Sequence, residues 1–437
     1  MKKWIALALC LVMVLGLCAC KENPQAGPQA WEKAPEGKVL VGFGKVCINP
    51  EQGAQVSLVG YGGNGTPPTP MTGKLNDVYG TCVAITDTKG ETVLIYTVDT
   101  LYTTKEEVDS IRAAVTAKTG IAGDRVVVSG THTHSSVRYT DITDYANKMA
   151  QAAADALADR VPATVQTGSA PIENMSFIRH YKTQNGIIVG DNFASAISSG
   201  NPIVEHATQA DTQMQMIRYV REGDKQDVLM VNWQVHPKVA SSGDTDVGLA
   251  QRSMLSADFI GFARDYIQQE TGCLVAYYTG AAGNLNPRSR IPAEQKLCSI
   301  QVKEYGEAFA KQVVTAMGGL KDTAAGDVIC EQKMLPVTPI NGAEEMEITA
   351  IRVGNVGFAT VPFEMFDTNG KEIKDGSGLE TTFVLTCASM PQHSYIPSSY
   401  VWDYDTGTQV AYELGSSKHV KGTAEQVAAA LAEMLKN

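Results

Sequence analysis

The chain has 437 residues, with 36 Lys+Arg against 47 Asp+Glu, a net charge of −11 and 44% hydrophobic residues. Such a composition fills a globular core and excludes a disordered, fibrous or collagen-like chain. The acidic balance, with no basic tract to offset it, argues against nucleic acid as a partner.

Lys2 and Lys3 precede Trp4 to Leu17, an apolar run of 14 residues. That run is short for a bilayer span and fits the hydrophobic region of a secretory signal. It ends in Leu17-Cys18-Ala19-Cys20, which resembles the lipobox of bacterial lipoproteins, where cleavage precedes a cysteine that takes a lipid. The small Ala19 makes Cys20 the expected lipid-bearing residue, after a signal at 1–19; a plain signal peptide is the alternative. Residues 20–37, rich in Pro, Gln and Ala, read as a flexible tether. Residues 38–437 form the remaining domain. The expectation is a protein exported and anchored to the bacterial cell membrane through Cys20, with its domain outside. Six cysteines remain, Cys47, Cys82, Cys273, Cys298, Cys330 and Cys387, with no CxxC pair among them. One or two disulfides, or none, fit this number.

Glu91 to Val98 predicts a strand. Thr104-Lys105-Glu106-Glu107 is a capping box that opens a helix to Gly120. Strands are expected over 125–129, 226–235, 274–278 and 382–388, and helices over 145–161, 253–272, 304–317 and 424–436. A hairpin over 348–361 turns at Gly354-Asn355. Alternation of this kind defines an α/β fold, a mixed sheet flanked by helices in one large domain.

Polar residues with catalytic potential cluster just past the apolar strands. Asp99 follows one, His132 and His134 the next, then His236, the Gly283-Asn284 turn, Glu364, and finally His393 and Tyr395. Loops at strand ends are where α/β proteins build sites. In Thr131-His132-Thr133-His134, an extended backbone would aim both imidazoles the same way. His236 follows a hydrophobic strand, and Glu364 directly follows an apolar run where a carboxylate needs a cation or a donor. Histidines and a carboxylate with room for water make an open zinc site. Zinc there would lower the water's pKa from about 15.7 to near 7 and supply hydroxide.

Gly130-Thr131-His132-Thr133-His134-Ser135 resembles the G-T-H-T-H-S motif of neutral (alkaline, non-lysosomal) ceramidases. Further similarities follow in family order: Gly60-Tyr61-Gly62, Asn232 to His236, Ser256-Ala257-Asp258 before Gly261, Val361 to Glu364, Tyr395 and Tyr412-Glu413. The resemblance spans about residues 38 to 437 and implies zinc held by His132, His236, Glu364 and Tyr395. It also implies a substrate- or metal-supporting His134, Tyr412 facing the oxyanion and Arg179 contacting substrate. The sequence departs from the family at Gly283-Asn284-Leu285-Asn286-Pro287, where Asn286 replaces a serine treated as catalytic and Asn284 an aspartate. An amide at 286 still donates a hydrogen bond to an oxyanion or a substrate. Pro237-Lys238 after His236 is a second departure.

The expected activity is hydrolysis of the amide bond of an N-acyl, ceramide-like lipid by a surface-anchored zinc amidohydrolase, which would belong to sphingolipid metabolism. The alternatives are the same metal site acting on an ester or on a sugar- or cell-wall-derived N-acyl amide, and a non-catalytic surface binding protein that retains the fold.

Overall fold

The computed structural model describes residues 32–51, 53–60, 69–191, 200–240, 251–296, 301–388, 394–404 and 411–436. The signal region, Cys20, Cys298 and His393 lie outside them. Among the described residues no helix is long and apolar enough to cross a membrane, and Cys47, Cys82, Cys273, Cys330 and Cys387 are free thiols.

The main sheet has nine strands. Eight are β1 (Val39–Cys47), β2 (Tyr79–Thr86), β3 (Thr92–Val98), β4 (Val126–Gly130), β5 (Val161–Pro171), β6 (Gln213–Arg221), β7 (Val228–Trp233) and β8 (Leu274–Thr279). They lie in the order β8-β7-β6-β5-β1-β2-β3-β4, with the short Lys321–Thr323 strand beside β5. The pairs β3–β4 and β7–β8 are parallel. A second sheet orders β9 (Val328–Pro336), β10 (Glu345–Val353), β11 (Val356–Val361) and β12 (Thr381–Thr386), its last pair also parallel.

Side-chain alternation sorts these strands into layers. Leu94, Tyr96 and Val98 of β3 pack with α1 (Lys105–Thr119) and α2 (Ile142–Ala158). Leu229, Val231 and Trp233 of β7 pack with α3 (Phe259–Thr271) and α4 (Val302–Met317). The intervening residues, Val93, Ile95, Val228 and Met230, pack instead against Ile351, Phe358 and Phe383 of the second sheet. Helices α5 (Asp367–Gly376) and α6 (Thr423–Met434) cover the second sheet's outer face through Ile373, Val427 and Leu431. The α/β class stands as expected, but the helices flank a pair of sheets rather than one.

Local signals held where capping chemistry was explicit. Both capping-box bonds of Thr104 and Glu107 form, and α1 ends at Gly120 in the left-handed conformation. The helix expected over 145–161 runs 142–158, because Val161 already belongs to β5. The helix expected from 253 begins at Phe259. Met254–Leu255 pairs with Gly73–Lys74, and Asp258 caps the first turn.

Strands β1, β2, β5, β6 and β9 were not expected, and β1 shows why. Gly42 and Gly44 interrupt its apolar pattern, yet α2 crosses so closely that a Cβ there would lie 1.9 and 2.0 Å from the Ala156 and Ala152 carbonyl oxygens.

The two sheets are stapled where their strands end. Asn232 donates to the Tyr278 and Val384 carbonyls (both 3.0 Å) and accepts from the Val384 amide (3.2 Å). Thr386 donates to the Gly280 carbonyl, Thr279 to that of Thr131 and Ser129 to that of Thr386. All four side chains are buried, so each bond satisfies a group that water cannot reach. Replacing Asn232 with Leu leaves those partners unsatisfied, and urea denaturation should record a loss of about 1–3 kcal/mol. A loss below about 0.5 kcal/mol would contradict the staple.

Candidate active site and metal centre

His132 follows β4, His236 follows β7, Glu364 follows β11 and Tyr395 lies beyond β12. β4, β7, β11 and β12 each run parallel to one neighbour, and the loops that follow them converge on one site. Glu364 and Tyr395 are also direct register partners in a short parallel pairing, which sets their side chains next to each other. Gly283 lets the neighbouring turn close in: its amide donates to the Met365 carbonyl (2.8 Å), and a Cβ would lie 2.5 Å from the Glu364 carbonyl oxygen.

The two histidines of the THTH segment meet by a different route from the expected extended strand. His132 has φ +64°, a left-handed conformation costly for a residue with a Cβ. The turn still brings the His132 and His134 rings to 5.1 Å, while His236 lies 4.9 Å from His132 and 5.6 Å from His134. The His134 amide donates to the Pro237 carbonyl (3.0 Å), pinning the two histidine loops together. His132, His134 and His236 thus present ring nitrogens close enough to share one ion.

The hydrogen bonds fix which nitrogens face the centre. Nδ1 of His132 lies 2.8 Å from the Leu101 carbonyl, and Nδ1 of His236 lies 2.7 Å from that of Ala282. A carbonyl only accepts, so each Nδ1 carries the proton; in the neutral ring, each Nε2 carries a lone pair. Both Nε2 atoms approach the same atom, Oε2 of Glu364, at 3.1 Å for His132 and 3.0 Å for His236. The His132 contact is a close approach without hydrogen-bond alignment, and its buried Nε2 has no hydrogen-bond partner.

Burial pushes the His236 imidazole down to about 3, so it stays neutral. Burial would also lower His132, but the Glu364 carboxylate and Cys387 beside it outweigh this and raise it well above the usual range. Burial would raise Glu364, and His132 and His236 instead hold it well below the ordinary carboxylate range. Nε2 of the neutral His236 and Oε2 of Glu364 are both acceptors, so this buried site needs positive charge beside them, which either a proton on His132 or a metal ion can supply. This donor set, imidazole nitrogens with a carboxylate, fits a metal of the zinc type.

Tyr395 Oη lies 3.3 Å from Nε2 of His236, and Tyr412 donates to Tyr395 at 2.9 Å. Arg179 sits behind these phenols, with its guanidinium 5.1 and 5.0 Å from the two ring centroids and its Nε donating to Glu413 (2.7 Å). It is 2% exposed, which sets it under the tyrosines and away from solvent. Burial would raise the Glu413 carboxyl, but Arg179 and His180 bring it down to about 2. The sequence pattern gave no sign of this ion pair, since its partners are 234 residues apart.

Two strand-end residues serve the scaffold. Asp99 forms a two-pronged ion pair with Arg264 (3.0 and 2.6 Å) and accepts from the Tyr79 amide. Asn284 exchanges hydrogen bonds with Asp367 and also donates to Tyr400. Asn286 pairs with Phe177 in a short antiparallel bridge and faces a cleft beside Lys238. The sequence reading missed Cys387, whose Sγ lies 3.9 Å from Nδ1 of His132 and whose φ is +50°. No motif marks it, because only the end of β12 brings it there.

The fold is ceramidase-like. A ceramidase complexed with C2 superposes with a TM-score of 0.71 at 14% identity, over 92% of this chain and 75% of that one. Neutral ceramidase from Pseudomonas aeruginosa superposes with a TM-score of 0.71 at 15% identity, over 92% and 74%. Neither a protein-family model nor a curated protein sequence matches the chain. Fold and site together define a ceramidase-like α/β protein built around a buried histidine–carboxylate centre able to hold a metal ion.

After incubation with zinc and desalting, elemental analysis should find about one ion per chain. His132→Ala and Glu364→Ala should each bring this close to zero while the folded far-ultraviolet spectrum persists. Full occupancy in either variant would contradict the centre.

Proposed function

We propose that the chain is an exported, lipid-anchored zinc amidohydrolase that cleaves the amide bond of an N-acyl lipid. The observation that carries this reading is the convergence of two backbone-fixed imidazoles on one buried carboxylate oxygen, within a ceramidase-like fold. His132, His236, Glu364 and Tyr395 would hold the ion, with His134 beside it. Zinc bound there would supply a Lewis acid able to polarise an acyl carbonyl and make a water acidic near neutral pH.

The chain's own residues do the rest. Tyr412, whose one O–H donates to Tyr395, would turn that O–H to the carbonyl oxygen as negative charge develops there. His134 moves the water's proton to the leaving nitrogen. The water oxygen bonds to the acyl carbon, the C–N bond breaks, and the nitrogen leaves with the proton as an amine beside a carboxylic acid. The staple of Asn232, Thr279 and Thr386 beneath the loops keeps these groups in register. Cys20, at the end of the apolar leader, would tether the domain to the membrane that holds a lipid substrate. An ester bond in the same position would be cut by the same groups, and the buried Asn286 amide, in place of a hydroxyl, favours keeping that option in any substrate panel.

With zinc-loaded protein and a panel of N-acyl amines that includes ceramide, release of free amine should be measurable. His134→Ala and Tyr412→Phe should retain zinc and lower kcat by about 10²- to 10⁴-fold. Absence of amine release across the panel, or full activity in the zinc-loaded His134→Ala variant, would overturn the mechanism.

A further inference from the structure

The turn Ser256-Ala257-Asp258 lies behind the two histidine loops and holds both of them. Ser256 clasps the His134 segment: its carbonyl accepts from the Thr133 hydroxyl (2.8 Å), and its amide donates to the Ser135 carbonyl (2.9 Å). Asp258 clasps the segment after His236, where its carboxylate accepts from the Val239 and Ala240 amides (3.1 and 2.9 Å). Between these clasps runs the bond from the His134 amide to the Pro237 carbonyl. Asn76 backs the turn by accepting from the Ala257 amide (2.8 Å), and Gly261 makes room for it, since a Cβ there would lie 2.6 Å from Nδ2 of Asn76.

Asp258 does more than cap α3. An N-cap side chain ordinarily takes the N2 or N3 amide from an extended backbone. Asp258 has φ +57° and ψ −149° instead, and it takes the first helical amide, that of Phe259 (2.8 Å). Its carboxylate is thereby shared between the helix and the loop after His236. Val239, Ala240 and Asp258 are all buried, so these amides need an acceptor other than water. Two features of Asp258 cost stability. A positive φ is unfavourable for a residue with a Cβ. Burial also pushes the carboxyl up to about 6, although three backbone amides pull against it, so folding disfavours the ionised form. Strain and a desolvated carboxylate at one residue, aimed at a loop that carries a site histidine, point to a functional reason for both.

We infer that Asp258 is a positioning residue of the metal centre, which sets His134 against His236 by fixing the 237–240 loop through the Val239 and Ala240 amides. The inference rests on the metal-centre part of the amidohydrolase reading and deepens it. The His236 ring is tied to the Ala282 carbonyl, and the His134 backbone hangs on the Pro237 carbonyl. A shift of the 237–240 loop therefore moves His134 relative to the His236 ring. In Asp258→Asn one carboxylate oxygen becomes an NH₂ group. Oδ1 serves Val239 and Phe259 while Oδ2 serves Ala240, so in either orientation of the side chain an N–H faces an N–H and the loop must move.

The test measures zinc affinity of the full chain by competition with a chelator, and coordination geometry by the visible bands of cobalt(II) bound in place of zinc. Asp258→Asn should weaken zinc binding by about 10- to 100-fold, the usual effect of losing a group that orients metal ligands, and should shift the cobalt bands. Urea denaturation of the zinc-free variant is the control. Its midpoint should stay close to that of the parent chain, because removal of the buried charge offsets the broken bond. Parent-like zinc affinity with a parent-like cobalt spectrum would overturn the inference, and so would a loss of affinity matched by an equal loss of zinc-free stability. Hydrogen exchange in the parent chain needs no variant: the Val239 and Ala240 amides should be protected, and free exchange at both would also overturn it. Where the parent releases amine, the loss in Asp258→Asn should fall on kcat with KM little changed. Absence of hydrolysis in the parent would overturn the amidohydrolase reading and leave affinity and spectrum to decide the role of Asp258, so the two ideas fail separately.

Discussion

A single carboxylate oxygen, Oε2 of Glu364, is approached by two imidazole nitrogens whose opposite sides are tied to backbone carbonyls. This arrangement constrains much of the molecule. It draws on chain segments more than a hundred residues apart, and they meet only because three parallel strand pairs end at one place. The buried staples of Asn232, Thr279 and Thr386 hold those ends together without water. Left-handed backbone at His132 and Cys387 is the local cost of turning side chains inward from strand ends. Without a metal the site is an ion pair of a charged His132 and Glu364 beside a neutral His236; a metal ion bound there would take the place of that proton.

The positions of the central residues were legible because strand ends are legible. A run such as Val126 to Gly130 followed by two histidines announces both the strand and the loop. Helix limits were legible where caps were, as at Thr104 and Gly120, and less so where an Ala-rich helix runs into a β-branched strand at Val161. What stayed hidden was tertiary in origin. The glycines of β1 look like breakers until α2 is seen lying on them. Asp99 looks catalytic until Arg264, on a helix far along the chain, is found clasping it. The partnership of Arg179 with Glu413 has no local signature, and a buried two-residue ion pair leaves none.

Burial also changes what individual residues can do. Arg179, expected at the substrate, is stacked on Tyr395 and Tyr412 and locked to Glu413. Its charge acts on the phenols through the low-dielectric interior. Lys238, Arg288 and Arg290 line a separate small cleft next to Asn286, where Arg290 is paired with Asp191.

The most direct measurement is X-ray absorption at the zinc edge of the reconstituted protein. The account predicts a first shell of nitrogen and oxygen only, with outer-shell scattering from at least two imidazoles and no sulfur at about 2.3 Å. A sulfur scatterer, which would bring Cys387 into the coordination shell, or a shell without imidazole would contradict the centre described for this protein.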